Sequence, residues 1–257
     1  MNGRIQLHYF PSPNGRKVSI ALEEMGLVYD VVFVDIMNGD QTGADFLELS
    51  PNGRIPALVD VSDDGASIKV FESGAILQYL ARKTGCFYGV GEAQRCWIDG
   101  WVFWQMSGLG PMTGQVSYFA RAAANLDRNP RDSAYPIRRY LRETRRLYAV
   151  LARQLSGRDF ICDDYSIADM VSWPWIDQYH TLVCDITDYP DLARWYARIR
   201  DRPAVQRALR VASERVAGRP QTLFSIVPGT TVSARGEPPS AIEQAAPAPT
   251  LQDNRDA

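Results

Sequence analysis

Three short runs place hydroxyl, amide and charged side chains where the chain passes from one element to the next. Ser12-Pro13-Asn14-Gly15 lies between an alternating strand pattern and a helical one. The first unpaired amides of a helix, together with its dipole, favour a negative charge there by roughly 0.3 to 1 kcal/mol. A thiolate suits such a place. A free thiol has a pKa near ~8.5, and a hydrogen bond to a charged group is worth about 1.5 to 3 kcal/mol, which lowers that pKa by about one to two units. One donor at Ser12 or Asn14 is therefore sufficient. The same residue types commonly cap helices, and these four residues alone do not separate the two readings.

Asn52-Gly53-Arg54-Ile55-Pro56-Ala57-Leu58 puts a proline at the start of a strand pattern, where it removes no needed donor and where a cis bond makes a tight turn. Such a turn leaves the Ile55 backbone open to pair with a peptide ligand by strand addition, although a proline there also has a purely structural use. Glu72-Ser73-Gly74 marks another strand-to-helix junction. Ser73 and the helix amides suit a carboxylate, and Glu72 suits an ammonium. Opposite charges side by side suggest the amino-acid end of a ligand.

The elements that must hold these runs follow from periodicity. Ile5, Leu7 and Tyr9 alternate with polar residues over 4–10, and Val18, Ala21, Leu22 and Met25 recur at helical spacing up to Gly26. Tyr29 to Asp35 reads as a second strand, parallel to the first, with an irregular stretch around 38–44 after it. Pro56 to Val61 and Ile68 to Phe71 read as strands joined by a hairpin at Ser62-Asp63-Asp64-Gly65, and Ser73 opens a helix that ends at Gly85. This β-α-β, β-β-α order predicts an α/β thioredoxin-like N-terminal domain, residues 1–84. After a linker at 85–91 the patterns are helical, over 92–120, 134–156, 166–181, 190–202 and 203–215, predicting an all-α C-terminal domain, 92–217. Within it, Ser166-Ile167-Ala168-Asp169 has the spacing of a capping box, a folding signal. From 218 to 257 the composition turns to Pro, Ala, Gln, Ser and Thr, as expected of a mobile or partly docked tail.

Composition narrows the function classes. A length of 257 residues with 46% hydrophobic residues supports a sizeable core or two modest domains, and a formal charge of -2 gives no field for nucleic acid or an anionic membrane. The basic pairs Arg138-Arg139 and Arg145-Arg146 read as solvated helix surface. Four separated cysteines and two histidines disfavour a zinc site or a disulfide framework. No apolar run matches a signal peptide or a membrane span, so the expected location is cytoplasmic.

Taken together, Ser12-Pro13-Asn14-Gly15, Ser50-Pro51-Asn52-Gly53-Arg54-Ile55-Pro56-Ala57, Phe71-Glu72-Ser73-Gly74-Ala75-Ile76, Trp104-Gln105 with Gly108-Leu109-Gly110-Pro111-Met112, and Tyr165-Ser166-Ile167-Ala168-Asp169 resemble the glutathione transferase superfamily. The likeness is to its bacterial Nu-class and yeast Ure2-like members and covers roughly residues 5–215. It implies the glutathione transferase fold, with glutathione as cofactor and a homodimer as the assembly. By that resemblance Ser12 and Asn14 contact the glutathione sulfur, Ile55 before cis-Pro56 pairs with the cysteinyl backbone, and Glu72 with Ser73 holds the γ-glutamyl end. Gln41 and Arg54 supply further polar contacts, and Arg139 matches a position that reaches the ligand across a dimer interface. Nu-class proteins usually have threonine where this chain has Ser12, which keeps the hydroxyl without the methyl that stiffens its rotamer.

The expected reaction is glutathione-dependent transferase or lyase chemistry, the bound thiolate attacking a small apolar or aromatic co-substrate, ether cleavage included. Met112, Tyr118 and Trp173 are the expected pocket residues, although most helical aromatics belong to a core. Two alternatives share the pocket: glutathione-dependent disulfide-bond reduction, and a non-catalytic regulatory role. No cysteine stands at the first helix, which disfavours chemistry through a protein thiolate.

Overall fold

The computed structural model describes residues 4–62, 64–124 and 130–217. The tail expected over 218–257, and Asp63 of the hairpin turn, lie outside the described residues.

Alternation of buried and half-exposed side chains sets the first strand, β1 (Arg4–Tyr9), with Ile5, Leu7 and Tyr9 on the core side. Helix α1 (Pro13–Glu24) follows, and Gly26 takes a left-handed φ of 64° beyond its end. Strand β2 (Tyr29–Phe33) lies parallel to β1, whereas β3 (Ala57–Val61) and β4 (Ser67–Phe71) are antiparallel additions on the other side, giving the order β2-β1-β3-β4. The stretch expected to be irregular holds a 3-10 turn, Asp40–Thr42, and a one-turn helix, α2 (Ala44–Leu47). Asp35 and Asp40 organise it by accepting backbone N–H groups from Met37 and Asp35 at 3.1 and 2.8 Å. Helix α3 (Ser73–Thr84) closes the front part, with Gly85 left-handed at its end.

The rear part is helical: α4 (Glu92–Trp104), α5 (Gly110–Ala124), α6 (Pro130–Gln154), α7 (Ile167–Val183), α8 (Pro190–Arg200) and α9 (Pro203–Arg210). Residues 92–120 are not one helix. A π-helical turn, Gln105–Leu109, separates α4 from α5, because Gly108 and Gly110 are poor helix formers and the Pro111 ring conflicts with the carbonyl four residues earlier. The capping box is present at α7: Ser166 Oγ accepts from Ala168, while Asp169 accepts the N–H groups of Ser166 and Ile161 and the indole N–H of Trp195.

One core runs through both parts and contains Leu7, Ile20 and Leu77 as well as Trp173 and Trp195. Helix α1 is held against the rear helices by Glu24–Arg202 and Glu23–Arg207 ion pairs of 2.6 and 2.7 Å. Arg138 and Arg139 are exposed, as expected, but Arg145 ties α6 to the end of α7 by donating to the Val183 carbonyl at 2.8 Å. Among the described residues no helix is long and apolar enough to cross a membrane.

Candidate functional site

The three chemistry-bearing runs converge on one cleft of about 890 Å³ between the sheet end and the rear helices. Ser12, Asn14, Gln41, Arg54, Ile55, Pro56, Glu72 and Ser73 all line it, and so does Tyr118.

At the start of α1, buried Ser12 is the N-cap and its Oγ accepts from the Gly15 N–H at 3.2 Å. Capping uses a lone pair, so the hydroxyl proton remains for a second partner. The two readings of Ser12 are therefore compatible. Half-buried Asn14 follows in the first turn, and its Oδ1 accepts from the Trp175 indole N–H at 3.1 Å. Gly15 is required by space: a Cβ there would stand 2.1 Å from the Phe10 carbonyl oxygen.

The Ile55–Pro56 peptide is cis, and Ile55 packs beside Val34, Phe46 and Ala57. Glu72 has φ 68°, a left-handed conformation unusual for a residue with a side chain and a feature that concentrates at ligand clamps. It is exposed at the mouth of the cleft, with Ser73 buried behind it.

Lys17 was not anticipated. It lies one turn beyond Asn14 with 1% of its surface exposed, and its Nζ donates to Gln105 Oε1 at 2.6 Å and to Ser73 Oγ at 3.3 Å. Burial pushes its pKa down to about 7, against the opposing attraction of Glu72. The Ser73 hydroxyl in turn donates to Met106 Sδ at 3.5 Å. The sequence signal was a lone lysine leading into the buried run Val18 to Leu22.

Two expected pocket residues are elsewhere. Trp173 is fully buried, stacked on the Tyr196 ring at 5.6 Å with its N–H on the Tyr196 carbonyl. The cleft receives Trp175 instead, since two residues along a helix turn a side chain to nearly the opposite face. Met112 packs on the core, because the cleft face of α5 is the stripe Pro111, Gly114, Gln115, Tyr118 and Arg121, and position 112 lies off that stripe. Arg139 is exposed on α6 and does not line the cleft of its own chain.

Two arginines, Arg54 and Arg121, line the cleft against one acid, Glu72. Two of its lining amides keep a buried atom without a hydrogen-bond partner inside the protein: Gln41 Oε1 and Gln105 Nε2. Buried polar atoms are rarely left so, and the two arginines suit an anionic peptide such as glutathione. None of the four cysteines lines the cleft.

The glutathione S-transferase N-terminal domain family matches residues 11–83 and the glutathione S-transferase C-terminal domain family matches residues 133–203. The chain therefore belongs to the glutathione transferase family, and its thioredoxin-like sheet followed by helices is that family's fold. It is 44% identical to the disulfide-bond oxidoreductase YfcG of Escherichia coli over 208 residues, 80% of this chain and 94% of the relative. It is 31% identical to the protein URE2 of Eremothecium gossypii, covering 82% and 68% of the two chains. Among solved structures, a glutathione transferase of Pseudomonas putida with one glutathione disulfide bound per subunit is 41% identical, with a TM-score of 0.74 over 81% of this chain and 91% of that one.

Proposed function

We propose that the chain is a glutathione-dependent disulfide-bond reductase. The observation that carries this reading is the charged and polar group on the rear wall. Beside Met106, Pro111 and Trp175, the rear helices bring Gln115, Tyr118 and Arg121 to the cleft, and the arginine suits a charged, peptide-like disulfide better than an uncharged aromatic electrophile. The name of the YfcG relative and the glutathione disulfide in the Pseudomonas putida structure support it.

In this reading residues 1–84 hold glutathione and 92–217 hold the second substrate. Ser12 and Asn14 donate to the sulfur, Ile55 offers its backbone, Glu72 meets the ammonium, and Ser73 with its amide meets the adjacent carboxylate. Gln41 and Arg54 contact the remaining peptide and carboxylate groups. Glutathione supplies the nucleophilic sulfur, and two of its thiols are oxidised to glutathione disulfide as the substrate disulfide is reduced to two thiols. The protein contributes by holding that sulfur deprotonated and in line with its target.

The proposal includes a homodimer, in which Arg139 from a second copy reaches the cleft. Trp97 and Phe103 on α4 and Phe71 and Ile68 on β4 are large apolar side chains left 41 to 62% exposed in the single chain, as expected of surface that a second copy covers.

Turnover of a model disulfide with glutathione, measured beside conjugation of an aryl halide and cleavage of an aryl ether, tests the reading. Disulfide reduction should dominate. Activity on the aryl substrates with none on the disulfide would overturn it and restore the transferase or lyase alternative. Folded protein inactive on all three would favour the regulatory role.

A further inference from the structure

We infer that Trp175 is a positioning residue for thiolate formation, acting by fixing which end of the Asn14 amide faces the ligand. The inference rests on the proposed role of Asn14 as a sulfur donor and names what gives that donor its direction.

An asparagine amide is symmetrical in outline, and its oxygen and NH2 ends exchange by a half turn of one bond. Only the NH2 end stabilises a thiolate; the oxygen end repels it. Nothing in α1 itself chooses between them. The choice comes from the rear helices, through the 3.1 Å hydrogen bond from the Trp175 indole N–H to Asn14 Oδ1. An indole nitrogen only donates, so it holds the oxygen end and leaves both hydrogens of Nδ2 to the cleft that Asn14 lines.

The donor is itself held. The Trp175 ring lies against bare backbone of α5, where a Cβ built on Gly110 or Gly114 would come within 3.4 and 3.6 Å of ring carbons. The buried Lys17 ammonium stands 5.9 Å from the centre of the same ring. Two small residues one helical turn apart, Gly110 and Gly114, thus seat a ring whose only polar atom is spent on orienting Asn14. Trp175 needs no contact with the sulfur to act on it.

The test reads the pKa of glutathione bound to the full-length protein, by ultraviolet absorbance of the thiolate, in wild type, Trp175→Phe, Asn14→Ala and the double variant. Trp175→Phe keeps an aromatic ring and frees the Asn14 amide to turn. It should raise the bound pKa by about half to one unit, a three- to tenfold loss of thiolate. Asn14→Ala should raise it by at least as much, and the double variant no further than Asn14→Ala alone, because one residue acts through the other. Affinity for S-methylglutathione, which has no thiol to ionise, should fall by a smaller factor than the thiolate fraction in Trp175→Phe.

An unchanged pKa in Trp175→Phe beside a depressed wild-type value would overturn the inference while leaving the proposed thiolate site standing. An equal extra shift in the Asn14→Ala background, or an equal loss of S-methylglutathione affinity, would also overturn it, by assigning Trp175 to packing. A wild-type bound sulfur that titrates like free glutathione would sink the thiolate site itself. Trp175→benzothienylalanine, which replaces the N–H by sulfur at constant ring size, repeats the measurement if the phenylalanine variant folds poorly, with the same expected shift.

Discussion

Helices α1 and α7 both begin at a serine whose side chain accepts a backbone N–H, and they put that shared device to opposite uses. At α7, Asp169 stands three residues after Ser166 and closes the box, taking the Ser166 and Ile161 amides and the Trp195 indole. Nothing at that helix start is left for a ligand. At α1, the residue three after Ser12 is Gly15, which has no side chain to close anything and no room for one. The start of α1 therefore keeps donors open toward the cleft. A cap reports folding when its partner position is filled, and a binding site when that position is empty and a cleft lies in front of it.

The strongest way to break the comparison is to open the closed cap. Asp169→Ala leaves three buried donors unpaired, at a cost of about 3 kcal/mol or more, or roughly 6 to 12 °C in melting temperature for a protein of this size. The glutathione affinity of the folded fraction should not change. Calorimetry checks both, and a melting shift below about 2 °C would show that the box is dispensable.

A second contrast is between two of the buried charges, Asp169 and Lys17. Asp169 is buried among three donors, yet burial still raises its pKa to about 6. Lys17 has only the attraction of Glu72 to offset its burial, and burial lowers its pKa from 10.5 to about 7. Between about 7 and 10.5 the unfolded chain carries a proton on Lys17 that the folded chain does not, so this group makes stability rise with pH across that window. Below 7 its full penalty is present. Lys17→Met removes the slope, and the stability of wild type minus variant should grow by about 4 kcal/mol from the lower to the upper end. Denaturant unfolding at both ends measures it; parallel pH curves would show that Lys17 is not desolvated.

The difference between the caps also explains what the sequence revealed. The front wall of the cleft was legible because each of its groups sits at a junction that local chemistry marks: Ser12 and Asn14 before a helix, Ile55 before a strand-opening proline, Ser73 after Glu72. Junctions are read from a few neighbouring residues, and they positioned the sheet and its site together. The rear wall depends on the phase of long helices. Placing Trp175 rather than Trp173, or Tyr118 without Met112, requires knowing which stripe of a helix faces the cleft. The π-helical turn at 105–109 resets that phase between α4 and α5. Lys17 escaped notice because its environment comes from Gln105 and Ser73, 88 and 56 residues away along the chain.

Closing the open cap by force gives a smaller effect. In Gly15→Ala the new methyl meets the Phe10 carbonyl and the Tyr9 ring, so the first turn of α1 must shift, at about 1 to 3 kcal/mol. Because Ser12 and Asn14 move with that turn, S-methylglutathione affinity should fall as well. A variant that melts lower yet binds the ligand normally would mean that the site tolerates displacement.

The finest comparison sets Ser12→Ala beside Ser166→Ala. Each removes one serine cap, and each should cost about 1 kcal/mol of stability, so thermal unfolding alone does not distinguish them. The bound thiol does. Ser166 is committed to α7, and its loss should leave the pKa of bound glutathione where it was. Ser12 caps with a lone pair and keeps its proton to donate, so its loss should raise that pKa by up to about one unit. Equal pKa values in the two variants, with wild type also equal, would assign Ser12 to capping alone and leave thiolate stabilisation to Asn14 and the helix amides. A rise in Ser12→Ala only would show that one hydroxyl serves the fold and the ligand at once, as the position of Gly15 allows.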